Sequence, residues 1–279
     1  MKQKVKITVI VENNATGNGL IPEHGLCFWL ETGDSRIVFD TGQGMALPVN
    51  AGSLDIPIKQ ADAVVLSHGH YDHTGGLKTV MQLSTKPRVY LHPAAFGPKF
   101  ACNEHKQSRF IGTPDDCKKA ANELAADIIH TTRPTQIAGP IFATGEIPRT
   151  TEFEDAGGPF FLDQKCEQKD LFPDDQALFF ESSRGTVVLL GCAHAGVINT
   201  LLYVRQLTKG KPIHAVIGGM HLLSASDERL DSTIEHLGRI SPGLIGPAHC
   251  TGDKATEKIR KTFTREYFPC PAGTTIEFD

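Results

Sequence analysis

The sequence predicts an α/β protein in which two mixed sheets pack face to face and helices cover the outer faces. Two observations lead to this αβ/βα sandwich. Strand patterns occur in two batches, one early in the chain and one after its middle. Helical patterns intervene in each batch, so each sheet has helices available for its outer face.

The first batch begins at the amino terminus, where polar and apolar residues alternate as in a strand near a sheet edge. Its predicted strands are 4–11, 26–30, 36–39 and 63–66, with helices at 77–83 and 117–126. The second batch has strands 177–181, 186–190, 214–217 and 274–278, with helices at 197–207, 227–237 and 253–262. We expect residues 1–279 to form a single domain, because a chain of this length can bury one large core or two related halves.

The segment from about His92 to Asp170 is rich in Gly, Pro, Thr and charged residues, and it is too long for a plain connection. We interpret 92–170 as an insertion or lid. Within it, the turn around Pro148 carries Glu146 and Arg149. These two charges either meet a polar substrate or form an internal ion pair on the surface.

Composition excludes several classes of partner. The net charge is −4 and no basic stripe occurs, so we expect no nucleic-acid partner. No apolar stretch is long enough to span a bilayer, and the amino terminus lacks the apolar core of a signal peptide. The seven cysteines are an odd number without C-x-x-C spacing, so we expect no disulfide framework, no separate zinc finger and a cytoplasmic location.

The most informative stretch is 67–77, a loop between an apolar strand and a helix. Within six residues it places four metal-binding side chains, namely His68, His70, Asp72 and His73. Imidazole and carboxylate are the usual ligands of zinc, iron and manganese, and a compact loop can direct pairs of them at two neighbouring ions. The spacing therefore predicts a two-metal site.

Three loops in the second half repeat one pattern, in which an apolar strand is followed by small residues and a histidine. They are Gly191-Cys192-Ala193-His194, Gly218-Gly219-Met220-His221 and Pro247-Ala248-His249. Small residues let the backbone approach an ion or a substrate closely. We expect these loops to meet at the rim that carries the first histidine cluster.

The run H-x-H-x-D-H followed by Thr74-Gly75-Gly76-Leu77 resembles the signature loop of the metallo-β-lactamase superfamily. Upstream, Val38-Phe39-Asp40-Thr41-Gly42 resembles the strand that ends in that superfamily's structural aspartate. The resemblance implies the sandwich fold, a role for Asp40 in bracing the metal loop, and two divalent metal ions. Zinc is our first expectation, with iron or manganese as alternatives.

The resemblance also assigns ligands in the second half. His249 matches the last histidine of the superfamily pattern. Cys192 resembles the cysteine of the zinc β-lactamases and is either a thiolate ligand or a small buried apolar residue. Where the superfamily has its third histidine, this chain has Asp174 and Asp175. Either His194 or one of these carboxylates completes the shell, and we favour His194 because imidazole suits zinc or iron better.

We expect His68 and His70 on one ion, and Asp72 and His73 on the other with His249. Asp72 and His221 are our candidate catalytic residues. His221 is not expected to be a primary ligand but to protonate a leaving group or bind a substrate phosphate. The other interpretation of His221 is a structural histidine that pairs with the backbone.

The expected function is metal-dependent hydrolysis of a small phosphorylated or otherwise anionic ester. The loops around 191–196 and 247–252 resemble a branch of prokaryotic metal-dependent hydrolases that includes the dihydropterin–aminobenzene-ribofuranosyl phosphate synthase of methanopterin biosynthesis. A condensing transferase that acts on a pterin-methyl diphosphate is therefore one alternative. A di-iron redox protein and a non-catalytic metal-binding protein are two others, and a homo-oligomer stays open.

Overall fold

The computed structural model describes residues 3–279, which form sixteen strands and seven α-helices. The strands are β1 Val5–Val11, β2 Cys27–Thr32, β3 Ser35–Phe39, β4 Ala63–Val65, β5 Arg88–Leu91, β6 Phe100–Cys102, β7 Ser108–Phe110, β8 Asp127–His130, β9 Thr135–Ala138, β10 Ile141–Ala143, β11 Phe160–Phe161, β12 Ala177–Ser182, β13 Gly185–Leu190, β14 Ile213–Gly219, β15 Leu244–Ala248 and β16 Thr275–Phe278. The helices are α1 Ala46–Ser53, α2 Tyr71–Thr74, α3 Leu77–Leu83, α4 Asp115–Leu124, α5 Val197–Leu207, α6 Asp227–Ile240 and α7 Asp253–Thr262.

The strands build two large mixed sheets. The first has the order β16-β1-β2-β3-β4-β5-β8, and the second has the order β15-β14-β13-β12-β10-β9. In the first sheet β3, β4, β5 and β8 run parallel, and in the second β13, β14 and β15 run parallel. The loops that leave the carboxyl ends of parallel neighbours emerge at the same edge of a sheet. The chain thus brings its histidine-bearing loops together.

Apolar side chains form three layers of core. The central layer joins the facing surfaces of the two sheets and includes Phe28 and Phe39 from the first and Leu178 and Phe180 from the second. One outer layer packs helices α1, α3 and α4 on the first sheet, and the other packs α5, α6 and α7 on the second. The predicted αβ/βα sandwich is confirmed.

Most predicted elements occur within a residue or two of their predicted bounds. Helices α3, α5 and α7 coincide with the predicted helices, and the eight predicted strands are all present. The analysis missed α1 and the strands between β4 and β12. These strands are two to four residues long, so they carry little periodic signal.

The predicted lid at 92–170 has two structural roles. Its middle part, 115–143, contains α4, β8, β9 and β10, which complete the two large sheets and their helical cover. Its flanking parts form a small sheet with the order β11-β6-β7. This small sheet, which we call the cover sheet, is the part that lies over the site described below.

The cysteine prediction needs a correction. Cys102, at the end of β6, forms a disulfide with Cys166, and the other five cysteines are free and buried. One bond is not a disulfide framework, but it joins two segments that are 64 residues apart in the sequence. An odd total of cysteines does not exclude one such pair, which is why composition alone missed it. Within residues 3–279, no helix is both long and apolar enough to cross a bilayer.

Candidate metal centre

The loop after β4 is held in place by Asp40, which ends β3. One carboxylate oxygen of Asp40 accepts a hydrogen bond from the backbone N of Ser67 at 2.7 Å. The other accepts from Ser67 Oγ at 2.6 Å and from His73 Nδ1 at 2.7 Å. The predicted contact of Asp40 with the metal loop is confirmed. Since Nδ1 of His73 donates to a carboxylate, its Nε2 keeps a lone pair for another partner.

Gly69 lets this loop pass close to a neighbouring segment. A Cβ at Gly69 would lie 2.0 Å from the backbone oxygen of Ala95, so no larger residue fits without moving the backbone. The amide N of Gly69 donates to Asp174 Oδ2 at 2.8 Å. His68 and His70, on either side, are therefore held by backbone contacts before any metal binds.

Three histidines meet on one side of the centre. The ring centroids of His68, His70 and His194 are 4.6 to 4.9 Å apart. Each has a buried Nε2 without a hydrogen-bond partner in the described part of the chain. His194 Nδ1 donates to the carbonyl oxygen of Ala156 at 2.9 Å, which leaves the lone pair on Nε2. Burial holds the pKa of all three rings well below the usual range, so they are neutral and able to ligate.

A second group lies next to the first and contains Asp72, His73 and His249. The Nε2 atoms of His73 and His249 are 3.2 Å apart, and Asp72 Oδ2 lies 3.4 Å from His249 Nε2. His249 Nδ1 contacts Asn13 Oδ1 at 2.9 Å, so its Nε2 also presents a lone pair. Burial opposes ionisation of Asp72, but hydrogen bonds from His24 and His249 outweigh it and hold its pKa well below the usual range.

Cys192 lies between the two groups. Its Sγ is 3.1 Å from His73 Nε2, and its sulfur lies within 4.8 Å of ligand atoms from both groups. Burial raises the pKa of Cys192 well above its ordinary value, so a thiolate at this position requires a nearby cation. Cys192 thus has the position of a ligand shared between two ions.

Asp174 and Asp175, the alternative ligands, have other contacts. Asp174 accepts from Gly69 and from Lys99 Nζ, which is 2.9 Å away. Asp175 Oδ2 accepts from the backbone N of Ala195 at 2.8 Å, and burial raises the pKa of Asp175 to about 7. Both carboxylates support the loops that carry the histidines. The geometry therefore favours His194 as the third histidine of its group.

His221 and Arg149 have different positions relative to the centre. The His221 ring lies over His194, with centroids 4.1 Å apart, and its buried Nδ1 has no partner in the described chain. Arg149 donates to the carbonyl oxygen of His194 at 2.7 Å, so it supports that loop from behind. Of the two interpretations of the 146–149 turn, neither an ion pair with Glu146 nor a place on the cleft is observed for Arg149.

A cleft of about 280 Å³ opens above the centre. Its floor contains His70, Asp72, Cys192 and His249, and its wall includes His221. Sequence reasoning missed four further lining residues, which are His24, Tyr71, Arg109 and Cys250. Tyr71 and Cys250 were recognisable as neighbours of ligands, but His24 and Arg109 come from remote segments without a local motif.

The donor set fits divalent metal ions. Imidazole lone pairs about 3 Å apart repel each other unless a cation lies between them, and here five histidines, one carboxylate and one thiol converge. The described residues offer a His68, Cys192 and His194 set and a His73, Cys192 and His249 set. Two adjoining sites that share Cys192 account for both. The individual ligand assignments stay predictions.

Comparison with known proteins gives consistent relatives. A family model described as "Metallo-beta-lactamase superfamily" matches residues 20–165. A Methanocaldococcus jannaschii protein named 7,8-dihydropterin-6-methyl-4-(beta-D-ribofuranosyl)-aminobenzene-5'-phosphate synthase is 30% identical over 98% of this chain and 97% of its own length. An uncharacterized protein of the same organism is 32% identical over 91% of this chain and 93% of its own length. The solved structure of Tm1679, described as a metal-dependent hydrolase of the beta-lactamase superfamily, has a TM-score of 0.82 and 29% identity over 98% of each chain.

Proposed function

The chain belongs to the metallo-beta-lactamase superfamily, and from this premise we propose that it is a two-metal hydrolase of a small phosphorylated or otherwise anionic ester. The observation that carries the proposal is the pair of adjoining ligand groups on the cleft floor, which share Cys192. Two cations at this floor attract an anionic group and hold it next to the reacting bond. We propose zinc as the metal, with iron or manganese as alternatives.

His68, His70 and His194 would hold one ion, and Asp72, His73 and His249 the other. Two bound divalent ions supply an activated water and neutralise the charge that develops on the leaving oxygen. Asp72 is ionised because its pKa is depressed, so it accepts a hydrogen bond from water and orients it. His221, on the wall of the cleft, donates a proton to the leaving group.

The cover sheet restricts access of bulk water to this centre. The ring of Phe160, on β11, lies 5.2 Å from the His70 ring and 5.3 Å from the His194 ring, measured between centroids. An apolar ring over neutral imidazoles lowers the local dielectric and strengthens the charge interactions below it. The small cleft and the acidic net charge favour a small substrate over nucleic acid.

The test is a substrate panel for the metal-loaded protein, comprising phosphodiesters, phosphomonoesters, lactones, thioesters and single-stranded RNA. We expect small phosphoesters to have the highest kcat/KM. His221→Ala should lower kcat by about 10²- to 10⁴-fold, the usual contribution of a general acid. A preference for RNA, or turnover of neutral lactones alone with His221→Ala fully active, would refute the proposal.

A second candidate function is supported by the relative that is named a synthase and matches this chain nearly end to end. In a condensing transferase, the same cations would hold the diphosphate of a pterin-methyl diphosphate while an electron-rich arene forms a bond to the methylene carbon. The carbon–oxygen bond to diphosphate breaks in that step, and the arene then loses a proton. Such a reaction requires exclusion of water, which the Phe160 side of the cover sheet favours.

Diphosphate release distinguishes the two candidates. The metal-loaded protein is mixed with a dihydropterin-methyl diphosphate, with and without a ribofuranosyl-aminobenzene phosphate. A hydrolase releases diphosphate without the arene and yields the pterin alcohol, whereas a transferase requires the arene and yields a coupled product that mass spectrometry detects. No release in either mixture, together with turnover of simple phosphoesters, would leave hydrolysis of another substrate as the function.

We also propose a cytoplasmic location and no membrane partner, with oligomeric state to be measured. The disulfide between Cys102 and Cys166 is the observation against a reducing compartment, where such bonds are rare. Alkylation of free thiols in the protein as it is isolated from cells tests the location. Seven modified cysteines support a reducing compartment, and five contradict it.

A further inference from the structure

The cleft contains one fixed positive charge besides the proposed metals. Of the residues that line it, Arg109 is the single lysine or arginine within the part of the chain that the structure describes. It lies on β7 of the cover sheet, where its side chain is exposed. Its guanidinium group lies over the ring of Tyr71, 5.7 Å from the centroid, and forms no ion pair with a described carboxylate. Its hydrogen-bond donors are therefore available to a ligand.

The cover sheet directs Arg109 at the cleft by its register. Ala101 on β6 lies opposite Arg109 on β7 and also opposite Phe160 on β11. Residues directly opposite each other on neighbouring strands project from the same face of a sheet. All three line the cleft, so this face of the cover sheet is one wall of the site.

The position of Arg109 relative to the metal ligands is also fixed. Just after β7, the backbone oxygen of Ile111 accepts from the N of Tyr71 at 2.9 Å, and Gly112 pairs with His70 in an isolated bridge. The disulfide of Cys102 fastens the neighbouring strand. The strand that carries Arg109 is therefore attached to the loop that carries the ligands.

We propose that Arg109 is the specificity-determining residue of this site and binds a second, distal oxyanion of the substrate. The inference rests on the proposed function, because the first anionic group is the one held at the metal centre. Between the two charged regions the wall is formed by Ile111, Pro159 and Phe160, which are apolar. The substrate class is thus a small molecule with an apolar body and an anionic group at each end, the distal one a carboxylate or a phosphate.

Three phosphonates test this without requiring turnover. Phenylphosphonate carries one anionic group, 4-carboxyphenylphosphonate adds a distal carboxylate, and benzene-1,4-diphosphonate adds a distal phosphate-like group. Their Kd values for the metal-loaded protein are measured by calorimetry. We expect both two-ended probes to bind about fivefold more tightly than phenylphosphonate, as is usual for a partly exposed charge pair. The better of the two identifies the distal group.

Arg109→Ala should abolish this preference and leave the Kd of phenylphosphonate unchanged, and Arg109→Lys should retain part of it. The matched control is Arg184→Ala, at an exposed position in the turn between β12 and β13, which should keep the full preference. Equal binding of all probes to the wild type, or a preference that survives in Arg109→Ala, would overturn the inference alone. Failure of every probe to bind the metal-loaded protein would overturn the anion-binding function together with it.

Discussion

At the scale of single residues, each candidate ligand histidine is oriented by what its other ring nitrogen contacts. Asp40 holds His73, Asn13 holds His249 and the carbonyl of Ala156 holds His194. These partners fix the tautomer, so that Nε2 carries the lone pair. At His73, burial acts to lower the pKa, but the Asp40 carboxylate outweighs it and raises the pKa to about 9. A positive charge is thus favoured at this position.

Removal of His194 should lower the affinity for one of the two metals. We expect His194→Ala to weaken binding by about 10- to 100-fold or more, since a disturbed metal shell typically costs that much. Metal content after dialysis against a chelator series, read by elemental analysis, measures it. Asp174→Asn is the matched comparison and should retain the metal better. Full retention by His194→Ala with loss in Asp174→Asn would show that the carboxylate is the ligand.

The pairing of ligands can be tested by stoichiometry. We expect His68→Ala and Asp72→Ala each to lose one ion, because these residues belong to the two different groups. Metal titration of each variant gives the number of sites, and circular dichroism shows that the fold is kept. Undiminished stoichiometry in both variants would contradict the assignment.

At the scale of elements, the strands and helices longer than five residues were predictable, because burial of one face gives a periodic pattern. The site was predictable only where ligands cluster in sequence. His68, His70, Asp72 and His73 occupy one loop, so their chemistry is visible in the letters. The cover sheet was not predictable, because its three strands are two or three residues long and pair across the sequence.

Two glycines make a matched pair for a stability test. Gly69→Ala should destabilise the protein by about 1–3 kcal/mol, as overpacking does, because the new Cβ meets a backbone oxygen at 2.0 Å. Gly238→Ala, inside α6, should stabilise it by about 0.5–1 kcal/mol, because nothing lies within 4 Å and alanine favours helix.

Urea unfolding of the metal-free protein measures both free energies. We expect Gly69→Ala also to weaken metal binding, since it shifts the loop between two ligands. An unchanged midpoint in Gly69→Ala would mean that the neighbouring segment at Ala95 moves aside easily.

At the scale of the whole molecule, the two sheets supply the ligand loops and the cover sheet supplies the outer wall of the cleft. The buried Lys99 connects these parts, since its Nζ lies 2.7 Å from Asp170 and 2.9 Å from Asp174, which in turn holds Gly69. The sequence predicted a covering segment but not its limits, because residues 115–143 read as irregular and yet complete both sheets. That these parts form a single domain stays our prediction.

The disulfide has a consequence for proteolysis. A break in the backbone anywhere in 103–165 leaves the two fragments covalently joined through Cys102 and Cys166. The turn at 103–107 is exposed, so it is a suitable place to insert a recognition site for a specific protease. After cleavage there, we expect one band on a non-reducing gel, two on a reducing gel, and an unchanged metal content.

The same insertion in a Cys102→Ser, Cys166→Ser variant is the control. It should give two bands on either gel, and the nicked form should lose thermal stability relative to the nicked disulfide form. Two bands for the wild-type insertion without reductant would mean that the bond is not formed in the isolated protein. Where the bond is formed, the nicked chain is still one covalent molecule, and protease damage to this part of the surface does not separate the cleft wall from its floor.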